Sequence, residues 1–116
     1  MKICIIGSGY VGLVSGACFS DLGNNVVCVD ISKEIINRLN NGIIPIYEPG
    51  LDELVNRNLK KKRLHFSTDI SNSIKKSDII FICVGTPTKN KKADLKYVFN
   101  VVKSIKSNLN RYKIIV

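Results

Sequence analysis

The chain has 116 residues, room for one small domain. Its 45% hydrophobic content is too high for a disordered tail and sufficient for a packed core. The formal net charge of +9 admits an anionic partner, but the lysines are scattered from Lys60-Lys61-Lys62 through Lys75-Lys76 and Lys91-Lys92 to the last helical stretch, so the pattern speaks for a compositional bias and against a nucleic-acid surface.

The first element is "KICIIG", a short β-branched apolar run that ends at Gly7 and reads as a buried strand. With Lys2 before it and Cys18 after it, the opening stretch has the outline of a secretory leader. Gly7, Ser8, Gly9 and Tyr10 break its apolar centre, and Ser15 stands where a lipoprotein-type signal needs a bulky aliphatic. It is also too short and glycine-rich to span a bilayer, so no membrane segment is expected. Val11 through Leu22 reads as a helix stopped by Gly23. A second strand, "VVCVD", ends in Asp30. Ser32 then caps a helix over "KEIINRLNNG", with Ile35, Ile36 and Leu39 as its apolar stripe. "GLDELVNRNL" predicts a third helix with Leu51, Leu54, Val55 and Leu59 on one side. "RLHFS" is a weaker strand, and Thr68 or Asp69 stands where a cap for a short "ISNSIKKS" turn is needed. "DIIFICVG" is a fourth strand. "DLKYVFNVVKSIKSNL" predicts the last helix, with Leu95, Val98, Val102, Ile105 and Leu109 at three-four spacing and Asp94 at its positive end. "YKIIV" is a fifth strand.

This alternation predicts an α/β fold: a doubly wound, mostly parallel sheet with helices on both faces. The strands are apolar on both sides, as full burial requires. Residues 1–116 form one domain in this reading. Because Val116 falls inside what reads as a central strand, the expectation is a truncated sheet at the start of a longer chain, with a bare edge at the fifth strand.

Gly7, Gly9 and Gly12 spell G-x-G-x-x-G, after a strand and at the opening of a helix. In that context Gly7 permits the turn out of the strand, Gly9 lets a pyrophosphate approach the backbone, and Gly12 allows close packing on the sheet. Ser8, Tyr10 and Val11 complete the loop, whose amides face a diphosphate at the helix N-terminus. Asp30 stands near the expected twenty-residue offset, where a carboxylate bonds both ribose hydroxyls and repels a 2′-phosphate. NAD is therefore favoured over NADP, and Ile31 and Ser32 offer no arginine for the phosphate. An ordinary strand-end or capping carboxylate is the plainer alternative. "VGTPT" ends the fourth strand at the same sheet edge, so Thr86 is a further cofactor candidate, or part of a simple turn. Cys4, Cys18, Cys28 and Cys83 form no C-x-x-C pair and no metal spacing with the single histidine, His65; they read as small apolar residues in a reducing compartment. No metal site is expected.

"MKICIIGSGYVGLVSGACFSDLGNNVVCVD", "PIYEPGLDEL", "DIIFICVGTPT" and "ADLKYV", taken in order, resemble the amino-terminal part of UDP-glucose 6-dehydrogenases, within the nucleotide-sugar dehydrogenases. The resemblance implies oxidation of the C6 hydroxyl of UDP-glucose with reduction of two NAD, a cytoplasmic location and a homo-oligomer at full length. It maps cofactor contacts onto the Gly7–Gly12 loop, Asp30 and Thr86. It places the cysteine nucleophile and most of the UDP-sugar site beyond Val116, so none of the four cysteines is catalytic and these residues alone are expected to be inactive. Family members usually carry a lysine where this chain has Ile35, with Lys33 a partial substitute, and many carry a glycine where Lys91 and Lys92 stand. Glu48 of "YEPG" reads as a structural residue before the third helix or, alternatively, as an acid-base group. Relatives acting on GDP-mannose or UDP-N-acetylmannosamine, and a non-catalytic gene product that binds NAD at most, remain as alternatives.

Overall fold

The computed structural model describes residues 1–116. In chain order its elements are β1 (Lys2–Ile6), α1 (Tyr10–Asp21), β2 (Asn25–Val29), α2 (Lys33–Asn40), α3 (Leu51–Lys60), β3 (Leu64–Ser67), α4 (Ile70–Lys76), β4 (Ile79–Ile82), β5 (Thr88–Lys89), β6 (Lys92–Ala93), α5 (Lys96–Asn108) and β7 (Ile114–Ile115). Five strands form one sheet in the order β3-β2-β1-β4-β7, every neighbouring pair parallel. Alternation along each strand sends side chains to two cores. Ile3, Ile5, Val26, Cys28, Leu64 and Phe66 face one side, with Leu13 and Ala17 of α1, Leu39 of α2 and Val55 of α3. Cys4, Ile6, Val29 and Ile80 face the other, with Ile74 of α4 and Val101 and Ile105 of α5. A fully buried side chain such as Ile5 or Leu13 contributes about 1.5–3 kcal/mol.

The helix limits follow local chemistry. α1 stops before Gly23, which takes φ +95, and α2 stops before Gly42 at φ +73. Ser32 Oγ caps α2 by accepting the Ile35 amide at 3.3 Å, and Asp69, rather than Thr68, caps α4 through the Asn72 amide at 3.0 Å. Fully buried Asn58 joins α3 to α1 by donating to Asp21, which also receives Arg57.

Two features differ from the sequence expectation, and a third, the bare sheet edge, agrees with it. The buried face of α5 is Val101 and Ile105 with half-buried Val98, whereas Leu95, Val102 and Leu109 are 42%, 46% and 49% exposed. Two overlapping apolar stripes run along this helix, and the sheet takes the one that lies over Ile80. A small antiparallel hairpin, β5–β6, follows β4, with Asn90 and Lys91 at φ 51 and 62 in its turn. The fifth strand is short and exposed, and within these residues it lies at the sheet edge.

Candidate functional site

The connections from β1 and β4 leave in opposite directions, one toward β2 and β3, the other toward β7. Between the carboxyl ends of such strands a crevice opens. Gly7 leaves β1 at φ +106, and a Cβ there would lie 2.5 Å from the Cys83 carbonyl oxygen. A Cβ on Gly12 would lie 1.8 Å from the Gly7 carbonyl oxygen. The loop is thus wedged between β4 and the first turn of α1. Gly9 differs: a Cβ there would meet nothing within 4 Å, because it faces open space.

α1 starts with no side-chain cap and no acidic residue in its first turn. Its first paired amide is that of Leu13, which donates to the Gly9 carbonyl at 2.9 Å. The amides of Tyr10, Val11 and Gly12 have no acceptor in the protein. Those free donors coincide with the positive end of the helix dipole. Beside them the Asp30 carboxylate bridges two segments. One oxygen accepts the Ser8 amide at 3.0 Å, the other the Ser32 amide at 3.0 Å. Asp30 therefore ties the glycine loop to the start of α2. Ser8 is 3% exposed, and its hydroxyl is the one buried side-chain polar atom without a partner.

Two adjoining cavities of about 170 and 240 Å³ share Gly7, Asp30, Ile31, Val84 and Tyr97, and together form the crevice. Of the eight residues singled out from the sequence, Gly7, Ser8, Gly9 and Asp30 line it. Tyr10 and Val11 are exposed on the first turn of α1, and Gly12 is buried beneath the loop. Thr86 lies on the exposed segment after β4, whose Cys83, Val84 and Gly85 line the crevice while Thr86 does not. Sequence reasoning missed Ile31, which is 91% exposed at the lip, and the wall made by Thr68, Ile70, Tyr97 and Asn100. Their signal is positional: they sit just after strand ends, at the start of α4 or in the first two turns of α5.

Tyr10 Oη donates to Glu48 Oε2 at 2.5 Å, and this bond to a carboxylate pushes the phenol above its ordinary pKa. Ile35 packs half-buried against the core and is not at the lip, while Lys33 is exposed at the start of α2. Burial pushes the Cys4 thiol up to about 12 despite the opposing charge of Lys113, and burial likewise raises Cys28 and Cys83. These thiols stay protonated at neutral pH, and all four cysteines are free. No group of three His, Cys, Asp or Glu side chains has metal-binding geometry. A larger hollow of about 370 Å³, lined by Lys2, Asn25, His65 and Lys76 among others, lies toward the amino ends of β1 and β2, away from the glycine loop. His65 Nε2 lies 3.1 Å from the Lys62 carbonyl oxygen and is exposed.

A doubly wound parallel sheet, with a glycine loop feeding an uncapped helix end beside a strand-end carboxylate, defines a dinucleotide-binding domain of the Rossmann type. The model of the UDP-glucose/GDP-mannose dehydrogenase family, NAD binding domain, matches residues 1–116, and the chain belongs to that family. It is 56% identical over 116 residues to UDP-glucose 6-dehydrogenase TuaD of Bacillus subtilis, covering 99% of this chain and 25% of that protein. It is 48% identical to the UDP-glucose 6-dehydrogenase of Rhizobium meliloti, covering all of this chain and 27% of that one. Among solved structures, GDP-mannose dehydrogenase from Pseudomonas aeruginosa superposes with a TM-score of 0.88 at 43% identity, over 90% of this chain and 24% of that one. UDP-D-ManNAc dehydrogenase from Pyrococcus horikoshii superposes with a TM-score of 0.93 at 30% identity, over 99% and 27%. The chain spans about a quarter of the length of the curated relatives it matches. No helix is long and apolar enough to cross a membrane.

Proposed function

We propose that these residues bind NAD as the cofactor domain of a UDP-glucose 6-dehydrogenase. The observation that carries the reading is the uncapped start of α1, where three consecutive amides have no acceptor. Such an end takes an anion, and the open space at Gly9 leaves room for a diphosphate against the backbone. The residues fit the cofactor on three further counts. The orphaned Ser8 hydroxyl borders the same crevice, and Asp30 keeps acceptor capacity beyond its two amide bonds, enough for ribose hydroxyls. Ile31, Ile70 and Val84 offer apolar surface to a base. Bound there, NAD supplies the hydride acceptor for oxidation of an alcohol. Thr86 and Val11 are assigned as contacts at the crevice edge. The sugar site and the nucleophile belong, in this reading, to the rest of a protein of the relatives' length. The four unpaired cysteines of these residues are consistent with a reducing, cytoplasmic setting.

Calorimetric titration tests the cofactor. NAD should bind at least about tenfold tighter than NADP, because the Asp30 carboxylate opposes a 2′-phosphate. Equal affinities would remove the ribose role, and no binding would remove the reading. Comparing UDP-glucose, GDP-mannose and UDP-N-acetylmannosamine in the intact protein, by NADH absorbance, tests the sugar.

A further inference from the structure

Glu48 lies in the irregular segment between α2 and α3, yet it bonds Tyr10, 38 positions away. That segment is seated. Gly50 at φ +83 turns the chain into α3, the Leu51 amide donates to the Glu48 carbonyl at 3.1 Å, and Leu51 is buried. Ile44 and Ile46 pack against the same core. Tyr10 is the first residue of α1, and its amide is one of the three without an acceptor. Gly9 supplies no cap; Leu13 anchors the inner side of this turn in the core, and the phenol–carboxylate bond is the one side-chain hydrogen bond on its outer side.

We propose that Glu48 is a positioning residue for the cofactor: through Tyr10 it fixes the first turn of α1, and with it the Tyr10–Gly12 amides, to the segment 43–50. The proposal rests on the NAD reading above. A hydrogen bond to a carboxylate is a strong one, and it holds the donors in place before a ligand arrives. Linkage then runs both ways: freeing the segment weakens the anion, and binding the anion stiffens the segment. An amide oxygen at position 48 accepts the same phenol proton, so the role needs the bond and not the charge.

The test uses the intact protein with Tyr10→Phe, Glu48→Ala, Glu48→Gln and the Tyr10→Phe/Glu48→Ala pair. NAD affinity is read by calorimetry, and backbone amide exchange over 43–50 is read with and without NAD. Tyr10→Phe and Glu48→Ala should each weaken NAD by about tenfold, the pair no more than either alone, and Glu48→Gln should stay within about twofold of the parent. NAD should slow exchange over 43–50 in the parent and not in Tyr10→Phe. Parent-like affinity in Tyr10→Phe, or Glu48→Gln as weak as Glu48→Ala, overturns the proposal. Should Glu48→Ala fail to fold, Tyr10→Phe and Glu48→Gln still decide. If the parent itself binds no NAD, the cofactor reading falls and this inference falls with it, whereas a binding parent with unaffected variants sinks the inference alone.

Discussion

Replacing Gly12 and Gly9 by alanine, one at a time, separates what the glycine loop does for the fold from what it does for a ligand. At an unremarkable helix position Gly→Ala stabilises by roughly 1 kcal/mol. Gly12 is in the first turn of α1, so that gain should apply. Yet its new methyl would sit 1.8 Å from the Gly7 carbonyl oxygen, well inside contact distance. The loop has no retreat, because a Cβ position on Gly7 is already 2.5 Å from the Cys83 carbonyl oxygen on the far side. α1 must therefore lift from the sheet, at an overpacking cost of about 3 kcal/mol, the upper part of the usual range. After the propensity gain the net loss is about 2 kcal/mol, a fall in Tm of roughly 6–10 °C for a domain of this size. Gly9→Ala meets nothing within 4 Å and has extended backbone at φ −73 and ψ −165, so its Tm should stay within a few degrees. Its methyl occupies the place assigned to the diphosphate, and NAD affinity should fall by at least about tenfold, with Gly9→Val lower still. Melting followed by circular dichroism, with calorimetry for NAD, reads both. A parent-like Tm for Gly12→Ala would refute the wedge, and parent-like NAD affinity for Gly9→Val would refute the placement of the anion.

Asp30→Ala should weaken NAD and narrow its advantage over NADP; an unchanged ratio of the two dissociation constants would exclude the ribose contact. Lys91→Gly should stabilise by about 0.5–1 kcal/mol, since φ 62 in an Asn-Lys hairpin turn suits glycine, and chemical denaturation with an unmoved midpoint would contradict this. Asp21 is held below the ordinary aspartate range by bonds from Asn58 and Arg57, and Asp78 by the Lys2 amide and Arg111. A depressed folded value means stability that is present above the unfolded pKa of about 4 and lost as pH falls through the folded one. Denaturation midpoints should thus drop steeply on acidification below about pH 4, and less steeply in Asp21→Asn; parallel profiles would remove Asp21 from the account.

The glycine loop and Asp30 were legible because each answers a local demand. A tight turn, a close approach and a carboxylate at a strand end all leave their mark within thirty residues. The strand–helix alternation was legible for the same reason, since period and turn residues are short-range. The far wall of the crevice was not. Thr68, Ile70, Tyr97 and Asn100 line one cavity with Gly7 only because the strand order reverses beside β1. For α5 the apolar pattern was doubly valued, and only packing on β4 chose Val101 and Ile105 over Val102 and Leu109. The β5–β6 turn escaped notice because Asn90-Lys91 lacks the glycine that marks such hairpins. Glu48 carried an ambiguous signal, and its partner Tyr10 could not be read from spacing at all.

Two oxygen atoms of one carboxylate hold the glycine loop and the start of α2 together. Coenzyme choice is therefore not a free variable at position 30: trading the aspartate for a residue that welcomes a phosphorylated ribose would also unfasten two backbone amides. If Asp30 reads the ribose as proposed, an evolutionary path toward the phosphorylated coenzyme would first have to supply new acceptors for the Ser8 and Ser32 amides, and the preference would then be protected by architecture as much as by charge.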